Sequence, residues 1–296
     1  MDIPQRDFLE LYKPKVFYDL KTALMERPSA VLICNPTSLH ISIAREAIRA
    51  GSHVFLEKPL SDTKTGIKSM IQESLLRSKV VYVGYHFRHH PLTQATKKLL
   101  VSNELGDLHS AQFVTGEYLP NWHPWEDYRK GYAARSELGG GVTLTLSHDL
   151  DLIYWFFGMP KTVSAVILNT GILGINTDDI ASISFTSKQC PIINSRLDFH
   201  CSPPQKHFSI NGSKGSLNWD FFGNQLQLIT NDGKKRIWNS PSGFEKNDMY
   251  IAEIKNFLHC IQHNVNPECD GFAGQSVLSM ALLAKKAGQT GRTLGF

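Results

Sequence analysis

The sequence predicts an α/β chain in two parts: a small parallel sheet flanked by helices, then an α+β region with a large, mostly antiparallel open sheet. Three observations carry that reading. Short, continuous apolar runs alternate with helix-period segments over the first ninety or so residues, which is how strands covered on both faces read. From about Leu92 the pattern changes to strand-like runs separated by turn signals such as "NDG". The helical stretches between and after them are amphipathic, as helices laid on a sheet must be. The implied division is residues 1–91 and residues 92–296.

In order, "KVFY" (Lys15–Tyr18) is a short strand before a helix around Leu20–Met25, and "AVLIC" (Ala30–Cys34) is a buried strand. "NPTSLH" offers Thr37 and Ser38 as helix N-caps. "HISIAREAIRAG" places Ile41, Ala44 and Ile48 on one face and stops at Gly51. "HVFLE" (His53–Glu57) is the next strand, Ser61 caps a helix through Ile67, Ile71 and Leu75, and "VVYVGY" (Val80–Tyr85) is a third strand. Later runs "HSAQFVTGEYL", "TVSAVILNT", "IASISFTS", "PIINSRLDFHC" and "NQLQLITND" are strands. "DMYIAEIKNFLHCIQ" is a helix whose apolar Ile251, Ile254, Phe257, Leu258 and Ile261 serve packing.

Composition narrows the partners. A chain of 296 residues, 42% hydrophobic and 20% charged, is ordinary for a globular protein. A net charge of +4 without a basic stripe argues against nucleic acid. The longest apolar stretch, "LDLIYWFFGMP", is half the roughly 20 residues a membrane span needs. "MDIPQRDFLELYK" has no apolar core for a signal peptide. Cys34, Cys190, Cys201, Cys260 and Cys269 are odd in number, scattered and free of CxxC spacing. That suits reduced thiols in the cytoplasm and neither a disulfide frame nor a metal site.

Three strand ends carry unusual polar groups: Asn35-Pro36-Thr37, Glu57-Lys58-Pro59 and His86-Phe87-Arg88. Ligands of parallel α/β sheets sit beyond the carboxyl ends of the strands, so the three together define a candidate site. Plainer readings stand beside this one: a solvated strand-end lysine at Lys58, turn chemistry at Asn35–Thr37, and a solvated basic loop at His86–His90.

Taken together, "AVLICNPTSLH", "AGSHVFLEKPLS", "VGYHFRHHP" and "GGGVTLTLSHDLDLIYWFFG" resemble the Gfo/Idh/MocA family of sugar oxidoreductases. The resemblance extends from about Val16 to Phe296, and "INGSKGSLNWD" and "AKKAGQTGRTLGF" fit its later sheet and last helix. It implies a hydride-transfer enzyme using NAD or NADP on a sugar or nucleotide sugar. Lys58 matches the lysine of the family's EKP signature, which bonds the reacting hydroxyl and the cofactor. His148 matches the general acid/base. Asn35, Thr37, His40, Glu57, Lys58 and His86 would line the nicotinamide end. Asp151, one helical turn past His148, would orient the imidazole or bind a sugar hydroxyl. These types suit alcohol oxidation: an imidazole titrates near neutral pH and a lysine stabilises a developing alkoxide.

"GEYLPNWHPWEDYRKGYAARSELGGG" resembles a branch associated with bacterial surface sugars, with Trp122, Trp125, Tyr128 and Arg129 as sugar-contacting residues. Two positions depart from the family: Thr145 stands where many members have an aspartate, and His86 where relatives often have asparagine. The resemblance also implies a homo-oligomer formed through the open sheet face.

No strand in the chain is followed by G-x-G-x-x-G, the turn that normally meets the dinucleotide pyrophosphate. The expected fold is therefore an N-terminally truncated Rossmann-like parallel sheet followed by the α+β domain. Loss of a central strand would expose several hundred Å² of apolar edge, on the order of 10 kcal/mol. The leading expectation is an oxidoreductase shortened at its N-terminus. The alternatives are a sugar-binding or assembly protein without cofactor binding, and a chain shortened by its gene start or cloning.

Overall fold

The structure is a computed structural model that describes residues 10–296; most of the N-terminal stretch read for a signal peptide lies outside the described residues. Helix α1 (Leu20–Met25) starts at Asp19, whose side chain accepts from the Thr22 amide at 2.9 Å. Strands β1 (Ala30–Ile33), β2 (His53–Glu57) and β3 (Val81–Gly84) form a parallel sheet in that order, with helices α2 (His40–Arg49) and α3 (Ile67–Leu76) between them. The register pairs Ile33 with Leu56 and Leu56 with Val83. That sets Cys34–Asn35, Glu57–Lys58 and Gly84–Tyr85 in one row at the strand ends, with His86 the next residue on. The convergence inferred from topology is thus a matter of register.

Several local expectations are corrected. Lys15–Tyr18 is not a strand: Val16 is exposed and Tyr18 fully so, and no described strand pairs with them. Thr37 and Ser38 do not cap α2. They belong to a 3-10 turn, Thr37–Leu39, and α2 begins at Leu39 without a side-chain cap. Ser61 does not cap α3, which starts after Gly66, whose φ of +77° suits a residue lacking Cβ. Its buried face is Ile67, Met70, Ile71 and Ser74, and Leu75 points to solvent. Ile41, Ala44 and Ile48 are buried as the helical period requires.

After α4 (Pro91–Val101) come β4 (Leu108–Tyr118), the single turn α5 (Val142–Thr145), α6 (His148–Phe157), β5 (Thr162–Leu168), β6 (Ile180–Thr186) and β7 (Ile192–Asp198). Then follow β8 (His200–Gly212), β9 (Gly215–Asp220), β10 (Gln225–Thr230), β11 (Lys235–Asn239), α7 (Lys246–His263), α8 (Gly271–Thr290) and β12 (Leu294–Gly295). The nine strands lie in the order β11-β10-β9-β8-β4-β7-β6-β5-β12. β4 and β7 run parallel; every other pair is antiparallel. Strict alternation puts Ala181, Ile183 and Phe185 inward and Ser182 and Ser184 outward. On the inner face Phe113 meets Phe156 and Phe157 of α6, and Phe208 meets Phe156 and Trp219.

One buried cluster runs through both sheets. A second holds Phe55 and Tyr82, stacked at 5.4 Å, under Phe257 of α7. So α7 returns from the C-terminal third to cover a face of the parallel sheet. Its inward stripe is Met249, Glu253, Phe257 and Cys260; Ile251 and Leu258, read as part of the apolar face, are exposed.

Candidate active site

Lys58 follows β2, and its ammonium donates to the Thr145 carbonyl at 2.6 Å. That bond ties the strand end to the turn just before α6, whose first residue is His148. The turn is set by Gly139–Gly141. A Cβ on Gly140 would stand 2.3 Å from the Tyr132 carbonyl oxygen, and Gly141 has φ +104° against Asp178. Asp178 accepts from the Thr143 amide and hydroxyl at 2.9 and 2.7 Å and from Lys285 at 2.5 Å, fixing the turn from outside.

His148 is 7% exposed. Its ring meets those of Tyr85, His86 and Phe87 at centroid distances of 5.6, 4.2 and 5.0 Å. His86 is 5% exposed, and Tyr250 of α7 lies 4.4 Å across its other side. The His148 Nδ1, His86 Nε2 and Thr145 Oγ1 atoms are buried without a hydrogen-bond partner. Burial holds both imidazoles well below the usual range, helped by the ammoniums of Lys58, Lys206 and Lys246 and, at His148, by His86. Both rings are thus biased toward the neutral form.

The segment around His148 is held by two buried ion pairs. Arg88 donates Nε to both Asp151 oxygens at 3.1 and 3.0 Å, Nη2 to Oδ1 at 2.6 Å, and Nη1 to the Glu268 carbonyl at 2.6 Å. Asp151 is fully buried in that embrace. The expectation that it orients the imidazole or binds a sugar is corrected: its oxygens are occupied by Arg88 and no solvent reaches them. On the other side Lys206 donates to Asp149 and Thr115, each at 2.9 Å, with its ammonium 4.4 Å over the Phe87 ring.

Beyond β1 and β2 lies a cleft of about 400 Å³ lined by Cys34, Asn35, Pro36, Thr37, His40, Glu57, Lys58, Lys130, Tyr132 and Leu138. Asn35 Oδ1 is buried there without a partner, and burial lifts the Glu57 carboxyl while the Lys58 ammonium pulls it back. A flat, amide-bearing aromatic group fits this polar, strand-end cleft, so the residues present suit the nicotinamide end of a dinucleotide. His40 serves it indirectly. Its ring nitrogens lie 3.0 and 2.9 Å from the Pro59 and Asn35 carbonyl oxygens, strapping the two loops together. Burial lowers its pKa against those carbonyls.

The aromatic loop is placed less centrally. Trp122 packs edge-on against Phe199, with its Nε1 buried and unpartnered. The Tyr128 hydroxyl donates to the Leu173 carbonyl at 2.9 Å. Trp125 is 70% exposed, stacked on His123. Arg129 is exposed and held by Asp127 at 2.8 Å. The loop reaches the cleft through Lys130, Tyr132 and Leu138.

Sequence reasoning missed Lys206, Lys246 and Tyr250. Lys206 had a signal: it alternates with Phe208 and Ile210 on the inward face of β8, a lysine where an apolar residue is due. Lys246 and Tyr250 gave none, since nothing local shows that α7 returns to the first sheet.

A model of an oxidoreductase family with an NAD-binding Rossmann fold matches residues 4–85, and one of the Gfo/Idh/MocA C-terminal domain matches residues 93–218. The chain is 26% identical over 273 residues to UDP-N-acetylglucosamine 3-dehydrogenase of Acidithiobacillus ferrooxidans, covering 90% of this chain and 80% of that one. It is 24% identical over 280 residues to myo-inositol 2-dehydrogenase of Thermotoga maritima, covering 89% and 79%. Its fold superposes on an aldose–aldose oxidoreductase from Caulobacter crescentus complexed with glycerol (TM-score 0.86, 21% identity, 99% and 89% coverage). It also superposes on an inositol dehydrogenase homolog from Azotobacter vinelandii complexed with NAD+ (TM-score 0.85, 16% identity, 98% and 86% coverage).

Proposed function

The chain belongs to the Gfo/Idh/MocA oxidoreductase family, and from that premise we propose that it is an NAD(P)-dependent dehydrogenase transferring a hydride to or from a hydroxyl-bearing carbon of a sugar or nucleotide sugar. The observation that carries this reading is the Lys58 ammonium fixed on the Thr145 carbonyl, at the turn leading into a buried, neutral His148. In the oxidising direction His148 takes the hydroxyl proton. Lys58 faces the oxygen as charge develops on it, in a site whose low dielectric strengthens that interaction. Asn35, Thr37, Glu57 and Lys58 hold the nicotinamide end in the strand-end cleft. When bound, the nicotinamide supplies the hydride acceptor or donor. Trp122, Trp125, Tyr128 and Arg129 form the outer sugar wall, the aromatic faces meeting ring C–H groups, and Thr145 offers its unpartnered hydroxyl to the substrate from within.

The test is titration of the purified chain with NADH and NADPH, followed by nicotinamide fluorescence. Turnover of UDP-N-acetylglucosamine, myo-inositol and D-xylose with each oxidised cofactor is then measured. Saturation in the micromolar range and oxidation of a panel member support the reading. A folded sample that binds neither cofactor up to millimolar concentration refutes it. It would leave a sugar-binding or assembly protein. We also propose a homo-oligomer through the open sheet face, where Ser182, Ser184, Asn194, Arg196 and His207 present polar groups. Sedimentation showing only monomer at micromolar concentration refutes that part.

A further inference from the structure

We propose that His86 is a second catalytic residue: it contacts the reacting hydroxyl and forms with His148 a two-imidazole base that takes up a single proton. The inference rests on the dehydrogenase reading above. Its first ground is geometry. The two rings stand 4.2 Å apart at 61°, on elements tied together by the Arg88–Asp151 pair, since Arg88 lies in the same turn as His86 and Asp151 in the first turn of α6.

The second ground is the cost of the residue. His86 is packed between Phe87, His148 and Tyr250. A phenyl ring would fill that space without burying an unpaired nitrogen. The imidazole leaves Nε2 buried without a partner, as His148 leaves Nδ1, and such atoms are costly unless a ligand uses them. Two orphaned nitrogens in touching rings beside Lys58 mark where a substrate oxygen is received. The neighbouring position 145 holds threonine, which cannot titrate, so His86 is the group available to share the proton with His148.

The third ground is charge. The cations acting on the pair are Lys58 after β2, Lys206 on β8 and Lys246 on α7; His89, in the same turn as His86, is lowered to about 4 by burial and by Arg88. Asp151 is held by Arg88, and Asp149 Oδ1 by Lys206 and Thr115, while Asp149 Oδ2 has no partner. Two rings this close cannot both be charged, and the pair titrates as one unit. In the oxidising direction the substrate O–H bond breaks and its proton forms one new N–H bond on the pair. The oxygen's electrons close the carbonyl as the C–H pair leaves as hydride for the oxidised nicotinamide. Reduction runs the same exchange backwards.

The test uses His86→Phe, which keeps the ring's packing, and His86→Gln, which keeps a hydrogen-bonding group without titration. Folding of both is checked by circular dichroism and NADH binding. On whichever panel substrate the wild type oxidises, His86→Phe is expected to lower kcat about 10- to 100-fold with KM within about threefold. In both variants the acidic limb of the kcat/KM profile moves to lower pH, because His148 no longer shares the proton with a second ring. Imidazole carbon NMR on the substrate-free protein, with the His148 signal identified by its loss in His148→Gln, shows the same fall in midpoint. Wild-type kinetics in His86→Phe, or an unmoved His148 midpoint, overturns the assignment alone. A folded wild type that binds neither NADH nor NADPH up to millimolar concentration removes the dehydrogenase reading and the role of His86 with it.

Discussion

Replacing Arg88 with methionine isolates the ion pair behind helix α6. The substitution keeps the aliphatic stem and removes the guanidinium. Side-chain exposure is 3% for Arg88 and 1% for Asp151, so water cannot replace the lost partner. Breaking one side of a buried pair costs about 3–5 kcal/mol, because the other charge is left uncompensated. That is a large part of a total stability of about 5–15 kcal/mol. At about 2–4 °C per kcal/mol, the melting temperature should fall by about 6–20 °C. Arg88→Met/Asp151→Leu should recover most of the loss, since an apolar pair needs no counter-charge. The pH dependence has a definite sign. Burial raises the Asp151 carboxyl and Arg88 pulls it down. Without Arg88 the folded-state value rises further, so the folded form favours the protonated acid. Asp151 is already raised in the wild type, so the stability deficit of Arg88→Met is smallest in mild acid and widens as pH rises above that raised folded value, itself above the unfolded value of about 3.9. Thermal and urea unfolding at several pH values measure all three. A single variant losing less than about 1 kcal/mol, or a double variant no better than the single, would refute the reasoning.

Other substitutions address other links. Lys58→Ala should lower kcat by about 10²–10⁴ with an unchanged circular dichroism spectrum; unaltered kcat would remove Lys58 from the mechanism. Glu253 is 1% exposed, its Oε1 has no partner, and burial followed by the charges of Glu57 and Asp151 raises its carboxyl to about 9. With the folded value above the unfolded one of about 4.3, wild-type stability falls as pH rises between them. Glu253→Gln should flatten that fall by on the order of 3 kcal/mol between about pH 5 and 8, and parallel stability–pH curves would contradict it. Gly140→Ala drives a methyl into the Tyr132 and Ala133 carbonyls and should cost about 1–3 kcal/mol, with a larger loss of kcat than of cofactor binding. Equal activity would mean that the turn does not position His148.

The strands and the convergence of their ends were legible because each rests on local pattern. "AVLIC", "HVFLE" and "VVYVGY" are apolar runs whose parallel pairing follows from the helices between them, and the register then aligns Asn35 and Lys58 with Tyr85, the residue before His86. His148 was singled out by the resemblance of the glycine run and the helix after it to those of the family. What failed depends on distant packing. Lys15–Tyr18 has strand-forming residues but no strand to pair with among those described. The inward stripe of α7 is chosen by Phe55 and Tyr82, some two hundred residues earlier in the chain. It therefore contains Glu253 and leaves Ile251 and Leu258 outside, against any local reading of amphipathicity. Asp151 looked like a ligand because it is polar and one turn from His148. Only the fold shows that Arg88 already holds it.

The return of α7 to the first sheet also has a consequence for how the protein is made. Lys58, His86, His148, Lys206 and Tyr250 meet in one place, so the proposed site consists almost wholly of contacts between segments far apart along the chain. The connection from β4 to β5, which carries His148, must also cross over the sheet, since β7 and β6 lie between those strands. Such closures are slow compared with forming local helices and hairpins. A nascent chain emerging from a ribosome cannot complete the site until α7 has cleared the exit. During refolding, regular secondary structure should return well before the ability to bind a nicotinamide. Cofactor binding thus reports the last long-range closure of the molecule, and a chain stopped before Tyr250 would keep both reacting histidines yet lack the wall that packs against them.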